Sequence, residues 1–258
     1  MSGRLADSVA VVTGASRGIG YAFARALARE GAHVIAVART VGGLEELDDE
    51  IRSLGGSATL VPADLKDYPA IDRLGEAIFE RWKRLDVLVG NAGVLGQLSP
   101  LGHIKPEVWD EAVAVNLTAN WRLIRSLDPL LRQAPSGRAV FVTTGATESL
   151  PAYWGAYSAT KAALEALVKT YAAEITKTNV RANLLNPGPT RTAMRAKAFP
   201  GEDPNLLPTP DEVAKAALPL CLASCTSNGS IYAYANGKLT ENRSASAKPA
   251  RTSRIASS

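Results

Sequence analysis

A doubly wound α/β architecture is predicted: a mostly parallel sheet of about seven strands with helices on both faces. Three observations predict it. Short apolar runs rich in Val, Leu and Ile alternate with amphipathic stretches of helical period along most of the chain. The runs are continuous in apolar character, as strands buried on both faces require. A glycine-rich turn joins the first run to the first helical stretch.

Val9–Val12 reads as the first strand and Ile19–Glu30 as the amphipathic helix after it. Val34–Ala38, Thr59–Val61 and Val87–Val89 follow as strands, separated by helical Leu44–Leu54 and Ala70–Trp82. Glu107–Leu131, with Pro129 set to kink its end, and Ala156–Lys177 are the longest helical patterns, and they flank the strand Ala139–Val142. Val180–Leu185, helical Asp211–Ala223 and a last strand at Ser230–Tyr234 complete the alternation. Met194–Pro210 is broken by Pro200, Pro204 and Pro208 and reads as a loop. No repeat or linker divides residues 1–239, which are read as a single domain. Residues 240–258 are rich in Ser, Ala, Arg and Lys, with Ile255 the one residue there beyond Leu239 that is large and apolar. They offer too little apolar surface to offset their ordering entropy, so a disordered basic tail is expected.

Hydrophobic residues make up 46% of the chain and charged residues 21%, a balance that supports a buried core. No apolar run approaches the roughly 20 residues of a membrane span, and the polar start Met1–Asp7 is unlike a secretion signal. A soluble cytoplasmic protein with no membrane partner is expected. The net charge is +4, but most of it falls between Glu241 and Ser258. The nearly neutral body argues against a nucleic-acid-binding face. Cys221 and Cys225 form a Cys-x3-Cys pair without the four ligands of a structural zinc site, so two reduced thiols and no metal are expected. His103, in a loop, reads as a solvated side chain.

Thr13-Gly-Ala-Ser-Arg-Gly-Ile-Gly20 occupies the first strand–helix junction. Gly14 permits a tight exit from the strand, Gly18 allows close backbone approach to a phosphate, and Gly20 lets the helix pack on the sheet. The helix start then offers free N–H groups and its positive dipole end to an anion. This is a Rossmann-type arrangement, but with Gly-x3-Gly-x-Gly spacing. In that spacing the sequence resembles the short-chain dehydrogenase/reductase family.

The resemblance implies a nicotinamide cofactor held by Gly14, Ser16, Arg17, Gly18, Ile19 and Gly20. It extends to Asp64 and Leu65 after the third strand, to Asn91-Ala92-Gly93 after the fourth, and to Asn186-Pro-Gly-Pro-Thr-Arg-Thr192, where Pro187, Gly188, Thr190 and Thr192 would close over the nicotinamide. Ala38 stands where members that take NAD carry an acid to hold the ribose hydroxyls. Arg39 and Arg17 are placed instead to meet a 2′-phosphate, whose geometry a guanidinium suits. NADP(H) is therefore expected, with NAD(H) as the alternative.

Tyr157-Ser-Ala-Thr-Lys161 opens a helix, so Tyr157 and Lys161 lie one turn apart on one face. The spacing alone is cheap: Tyr234-Ala-Asn-Gly-Lys238 repeats it, but there Asn-Gly signals a turn. Context separates the two. Thr144 lies 13 residues before Tyr157, where the family places its catalytic Ser, and Asn116 matches the family's catalytic Asn. The resemblance thus implies hydride transfer between NADP(H) and a small carbonyl or alcohol substrate. Tyr157 would be the general acid or base and Lys161 would lower its pKa and bind the nicotinamide ribose. Thr144 would hydrogen-bond the substrate oxygen and Asn116 would hold a relay water. Thr143 is the poorer candidate, because adjacent strand residues point to opposite faces.

Tyr153 and Trp154 either line a pocket or pack at the start of the helix. Leu95–His103 and Met194–Pro210 read as the substrate-facing rim. The two long helices carry apolar positions on more than one face, and the resemblance implies a homodimer or homotetramer through them. Asn186–Ala196 followed by Phe199–Pro204 also resembles a bacterial subgroup, which implies a reaction type and leaves the substrate open. The competing reading is a non-catalytic NADP(H) sensor or partner-binding protein on the same fold.

Overall fold

A computed structural model describes residues 3–242. Its strands are β1 (Val9–Thr13), β2 (His33–Ala38), β3 (Ser57–Pro62), β4 (Val87–Gly90), β5 (Arg138–Val142), β6 (Arg181–Asn186), β7 (Ile231–Ala235) and β8 (Lys238–Asn242). They form one sheet in the order β3-β2-β1-β4-β5-β6-β7-β8, parallel throughout except for the β7–β8 pair. The helices are α1 (Gly18–Arg29), α2 (Val41–Ser53), α3 (Tyr68–Trp82), α4 (Pro106–Val113), α5 (Ala119–Leu131), α6 (Ala146–Ser149), α7 (Gly155–Glu174), α8 (Ala193–Ala198) and α9 (Pro210–Ala217).

Alternation along each strand sends side chains to two cores. Ala10 and Val12 of β1 join Phe23 and Leu27 of α1, Leu44, Leu47 and Ile51 of α2, and Val213 of α9 on one face. Val9 and Val11 join Ile71 and Ile78 of α3, Leu123 and Leu127 of α5, and Leu164 and Val168 of α7 on the other. The chain runs outward through β1, β2 and β3, then returns to lay β4 on the opposite side of β1. The loops after β1 and β4 part at this reversal, leaving a crevice at the carboxyl ends of the strands.

Three departures from expectation have local causes. The sheet has eight strands because β8 pairs antiparallel with β7. Asn236 and Gly237 turn the hairpin at φ 51° and 75°, the left-handed pair that a two-residue hairpin loop favours. Thus a turn separates Tyr234 from Lys238, as the Asn-Gly signal implied, with Lys238 paired to Ala235 and Tyr234 to Leu239. The β8 strand carries Leu239 as its one large apolar residue and alternates exposed with half-buried positions. Backbone pairing holds it, so it left no hydrophobic signature. Thr240–Asn242 accordingly belong to the sheet, whereas the rest of the expected tail lies outside the described residues.

The pattern over Glu107–Leu131 is not one helix. A π-helical segment, Ala114–Thr118, separates α4 from α5 and buries Val115 and Asn116. The Asn116 side chain is bonded to the Val94 backbone and its own carbonyl accepts from Asn120 Nδ2 at 2.9 Å. Such bulges often mark functional positions. The α9 helix also stops at Ala217 and passes into a 3-10 turn, Leu218–Cys221, where Pro219 interrupts the ladder. Within the expected loop after residue 194, the short α8 is capped by Thr192, whose side chain accepts from Arg195 N at 3.2 Å. Among the described residues no helix is long and apolar enough to cross a membrane. Cys221 and Cys225 are free thiols, and burial pushes the Cys221 thiol up to about 12.

Candidate active site

The turn after β1 is shaped by contacts that admit no side chain. Gly14 sits at φ 66° and Gly18 at φ 59°. A Cβ at Gly20 would lie 2.4 Å from both the Gly14 carbonyl oxygen and Asn91 Nδ2, so Gly20 serves helix packing and does not itself line the cleft. Asn91 ties the turn to β4: its Nδ2 donates to Thr13 O at 2.9 Å and its backbone N–H to Thr13 Oγ1 at 3.0 Å. No side chain caps α1, which leaves its first N–H groups facing the crevice for an anion.

The crevice is a cleft of about 1320 Å³, larger than the ~300–1,000 Å³ of a typical small-molecule site. Its walls include Gly14, Ser16, Arg17, Gly18, Ile19, Arg39, Asp64, Leu65, Asn91, Ala92, Gly93, Thr144, Tyr157, Lys161, Pro187, Gly188, Thr190 and Thr192. A long ligand with a phosphate on the glycine turn fits this shape, and the Cβ-free cradle at Gly14 and Gly18 supports that fit. Arg17 makes no ion pair among the described residues. Arg39 is loosely shared: its guanidinium lies 3.9 Å from Glu111 Oε1, and Lys66 reaches the same oxygen at 3.7 Å. Glu111, on α4, was absent from the sequence reading because only the tertiary fold brings it over β2's end.

Tyr157 and Lys161 stand one turn apart near the start of α7, both buried. Burial raises the Tyr157 phenol above its ordinary value, and its hydrogen bond with the Thr144 side chain pulls the other way. The Lys161 Nζ donates to Val142 O at 2.7 Å. Desolvation lowers Lys161 itself to about 8, opposed by the Glu165 carboxylate. Thr143 turns away from Tyr157 and donates to Glu165 Oε1 at 2.6 Å, and Thr147 donates to the same oxygen at 2.8 Å. Glu165 therefore braces both sides of Thr144. It lies one turn beyond Lys161, the same spacing that marked Tyr157, and that was the available signal for it.

Asn116 is not brought to the cleft. It is fully buried, its Oδ1 accepting from Val94 N at 2.8 Å and its Nδ2 donating to Val94 O at 2.9 Å and Thr160 Oγ1 at 3.0 Å. Its amide holds the backbone just after Gly93 in place. Trp154 lines the cleft, whereas Tyr153 points outward and is 60% exposed. The Trp154 ring meets the Tyr157 ring edge-on at 5.9 Å and Phe199 at 5.6 Å. Arg195 lies 3.7 Å over the Phe199 ring and is held by both Glu202 carboxylate oxygens at 2.6 Å. His103 ends an exposed 3-10 turn and does not line the cleft.

Fold and cleft together define a Rossmann-type α/β protein built to hold an extended ligand across the switch point of its sheet. The short chain dehydrogenase family model matches residues 8–203. The uncharacterised oxidoreductase YciK of Escherichia coli (strain K12) is 38% identical over 212 residues, 81% of this chain and 84% of that protein. A short chain dehydrogenase from Pseudomonas syringae superposes with a TM-score of 0.87 at 36% identity, covering 90% of this chain and 96% of that one. A short chain dehydrogenase from Shigella flexneri 2a, complexed with NADP, gives 0.83 at 35% identity over 90% of this chain and 99% of that one. The chain belongs to the short-chain dehydrogenase/reductase family.

Proposed function

We propose that the protein is an NADP(H)-dependent oxidoreductase that interconverts a carbonyl compound and its alcohol, with Tyr157 as the general acid or base. The observation that carries this reading is the buried Tyr157 phenol, hydrogen-bonded to Thr144 inside the cleft with Lys161 one turn on. The glycine turn with Ser16 and Ile19 would hold the pyrophosphate, Arg17 and Arg39 the 2′-phosphate, Asp64 and Leu65 the adenine, and Pro187 to Thr192 the nicotinamide. Ala38 supplies no carboxylate to repel that phosphate. The NADP bound to the Shigella relative supports the same choice.

The nicotinamide, when bound, supplies or accepts the hydride. In reduction Tyr157 would give its proton to the substrate oxygen, and solvent would restore it. Thr144 donates to the substrate oxygen and steadies its developing charge. Lys161 is protonated at neutral pH, since its pKa lies at about 8, and its charge favours the phenolate once Tyr157 has given up its proton. Asn116 acts from behind the wall by fixing the Val94 backbone. The partners proposed are a small-molecule substrate and further copies of this chain, in a homodimer or homotetramer.

The test is NADPH absorbance at 340 nm during incubation with aldehydes, ketones and quinones, repeated with Tyr157→Phe. Turnover is expected to vanish in the variant while NADPH binding, read by fluorescence, persists. Undiminished turnover by Tyr157→Phe would refute the assignment.

A further inference from the structure

The cleft sorts its side chains by depth on the side of Tyr157 away from the glycine turn. The inner wall is apolar: Leu95, Ala146, Trp154, Met194 and Ala198 are buried or half-buried around the Tyr157 ring. The polar side chains on this side, Gln97, Ser149 and Lys197, are all exposed and stand at the mouth. The Ser149 hydroxyl is moreover committed to Gly145 O at 3.1 Å. Apart from Lys161, whose Nζ is engaged by Val142 O at 2.7 Å, the cation lining this wall is Arg195, which is neutralised by Glu202 and stacked on Phe199. Beyond Lys161, no unpaired cation among the described residues lines this wall at this depth for a substrate carboxylate or phosphate.

The apolar character continues outward. Among the described residues, exposed Phe199 lines this mouth, and exposed Leu150 and Tyr153 stand next in the chain to the lining residues Ser149, Pro151 and Trp154. They belong to two segments that meet at the cleft. Ser99 N donates to Tyr153 O at 3.0 Å, and Trp154 meets Phe199. Leu150 and Tyr153 hold φ of 43° and 74°, a backbone region that bulky side chains rarely adopt. Clustering of exposed apolar residues at one site marks a binding surface, and here Phe199 meets Trp154, whose ring in turn meets Tyr157.

Building on the oxidoreductase reading, we infer that the substrate is a lipophilic carbonyl compound or alcohol. Its oxygen function sits at Tyr157 and Thr144, and an uncharged aryl or long alkyl body lies against Trp154 and Phe199 and extends over the rim. The occupant is committed to this class by continuity: an apolar rim alone would suit any partner, but an apolar track leading to a proton donor suits a molecule with a reactive oxygen at one end.

The experiment is a homologous series of straight-chain aldehydes from butanal to decanal, with aryl ketones, pyruvate and glyceraldehyde, each followed by NADPH absorbance. Each added methylene buried in an apolar site gains about fourfold in kcat/KM, so a steep rise along the series is expected, with pyruvate and glyceraldehyde near the bottom. Trp154→Ala is expected to cut the decanal-to-butanal ratio at least about tenfold. Phe199→Ser, at an exposed position on the cleft wall, is expected to lower the same ratio by a few fold. A flat series, a preference for pyruvate or glyceraldehyde, or a ratio unmoved by Phe199→Ser overturns the lipophilic assignment and leaves the oxidoreductase reading standing. If NADPH binds and no compound is reduced, the oxidoreductase reading falls and this inference with it.

Discussion

Replacing Lys161 with Met removes an ammonium group that folding takes almost wholly out of water, for it is 2% exposed. Burial lowers its pKa from 10.5 to about 8, and Glu165 opposes only part of that effect. That displacement corresponds to roughly 3 kcal/mol by which the native state disfavours the charged form relative to the unfolded chain. Met has nearly the same length and no charge, but it forfeits the hydrogen bond to Val142 O, costing about 1–2 kcal/mol. The variant is therefore expected to be about 1–2 kcal/mol more stable than the parent at pH 7, although inactive. The pH dependence carries a definite sign. Between pH 8 and about 10.5 the native parent has lost this proton and the unfolded chain has kept it. Parental stability accordingly gains about 1.4 kcal/mol per pH unit from this group, while the variant gains nothing. Urea unfolding of both proteins at pH 7 and pH 10 measures the difference, which should shrink or change sign at pH 10. A variant less stable at pH 7, with the same gap at pH 10, would refute the view that Lys161 is held at an energetic cost for its function.

Glu165→Gln keeps an acceptor for the Thr143 and Thr147 hydroxyls but loses the charge that supports Lys161, so the Lys161 pKa should fall further. Activity is expected to decline at a pH lower by about half a unit or more on the alkaline side; an unshifted pH–rate profile would show that Glu165 only braces the threonines. Gly20→Ala drives a Cβ to 2.4 Å from the Gly14 carbonyl, and a destabilisation of about 1–3 kcal/mol with weakened NADPH binding is expected by urea unfolding and fluorescence titration. Ala38→Asp places a carboxylate beside Arg39, and the ratio of NADPH to NADH affinity should fall at least about tenfold. An unchanged ratio in paired titrations would remove the 2′-phosphate from the neighbourhood of β2's end.

Much of the fold was legible because its determinants are local. Continuous Val- and Leu-rich runs and helical apolar periods report burial through short-range geometry, and they located seven of the eight strands. The Asn236–Gly237 turn was also local, since both residues tolerate positive φ. The β8 strand itself was hidden because it is stabilised by ladder hydrogen bonds to β7, and the identity of a side chain says little about a backbone bond. The break at Ala114–Thr118 was hidden for a similar reason: the apolar period runs on through it, while the Asn116 amide is spent on Val94, 22 residues away.

The candidate site divides along the same line. The family resemblance, carried by residue types and spacings along the chain, singled out the glycine turn, Thr144, Tyr157 and Lys161; Tyr157 and Lys161 share one helix face and the glycines one turn. The sequence by itself thus determined the class of the fold and which side chains could carry the chemistry. Tertiary structure alone decided how those side chains are poised. It placed Glu111 beside Arg39, sealed Asn116 behind the wall, bent Trp154 towards Phe199, and surrounded Tyr157 and Lys161 with enough apolar matter to move both from their ordinary pKa values. Those outcomes depend on which distant segments are packed together and on how much water they exclude, and neither is encoded in the spacing of residues along one element.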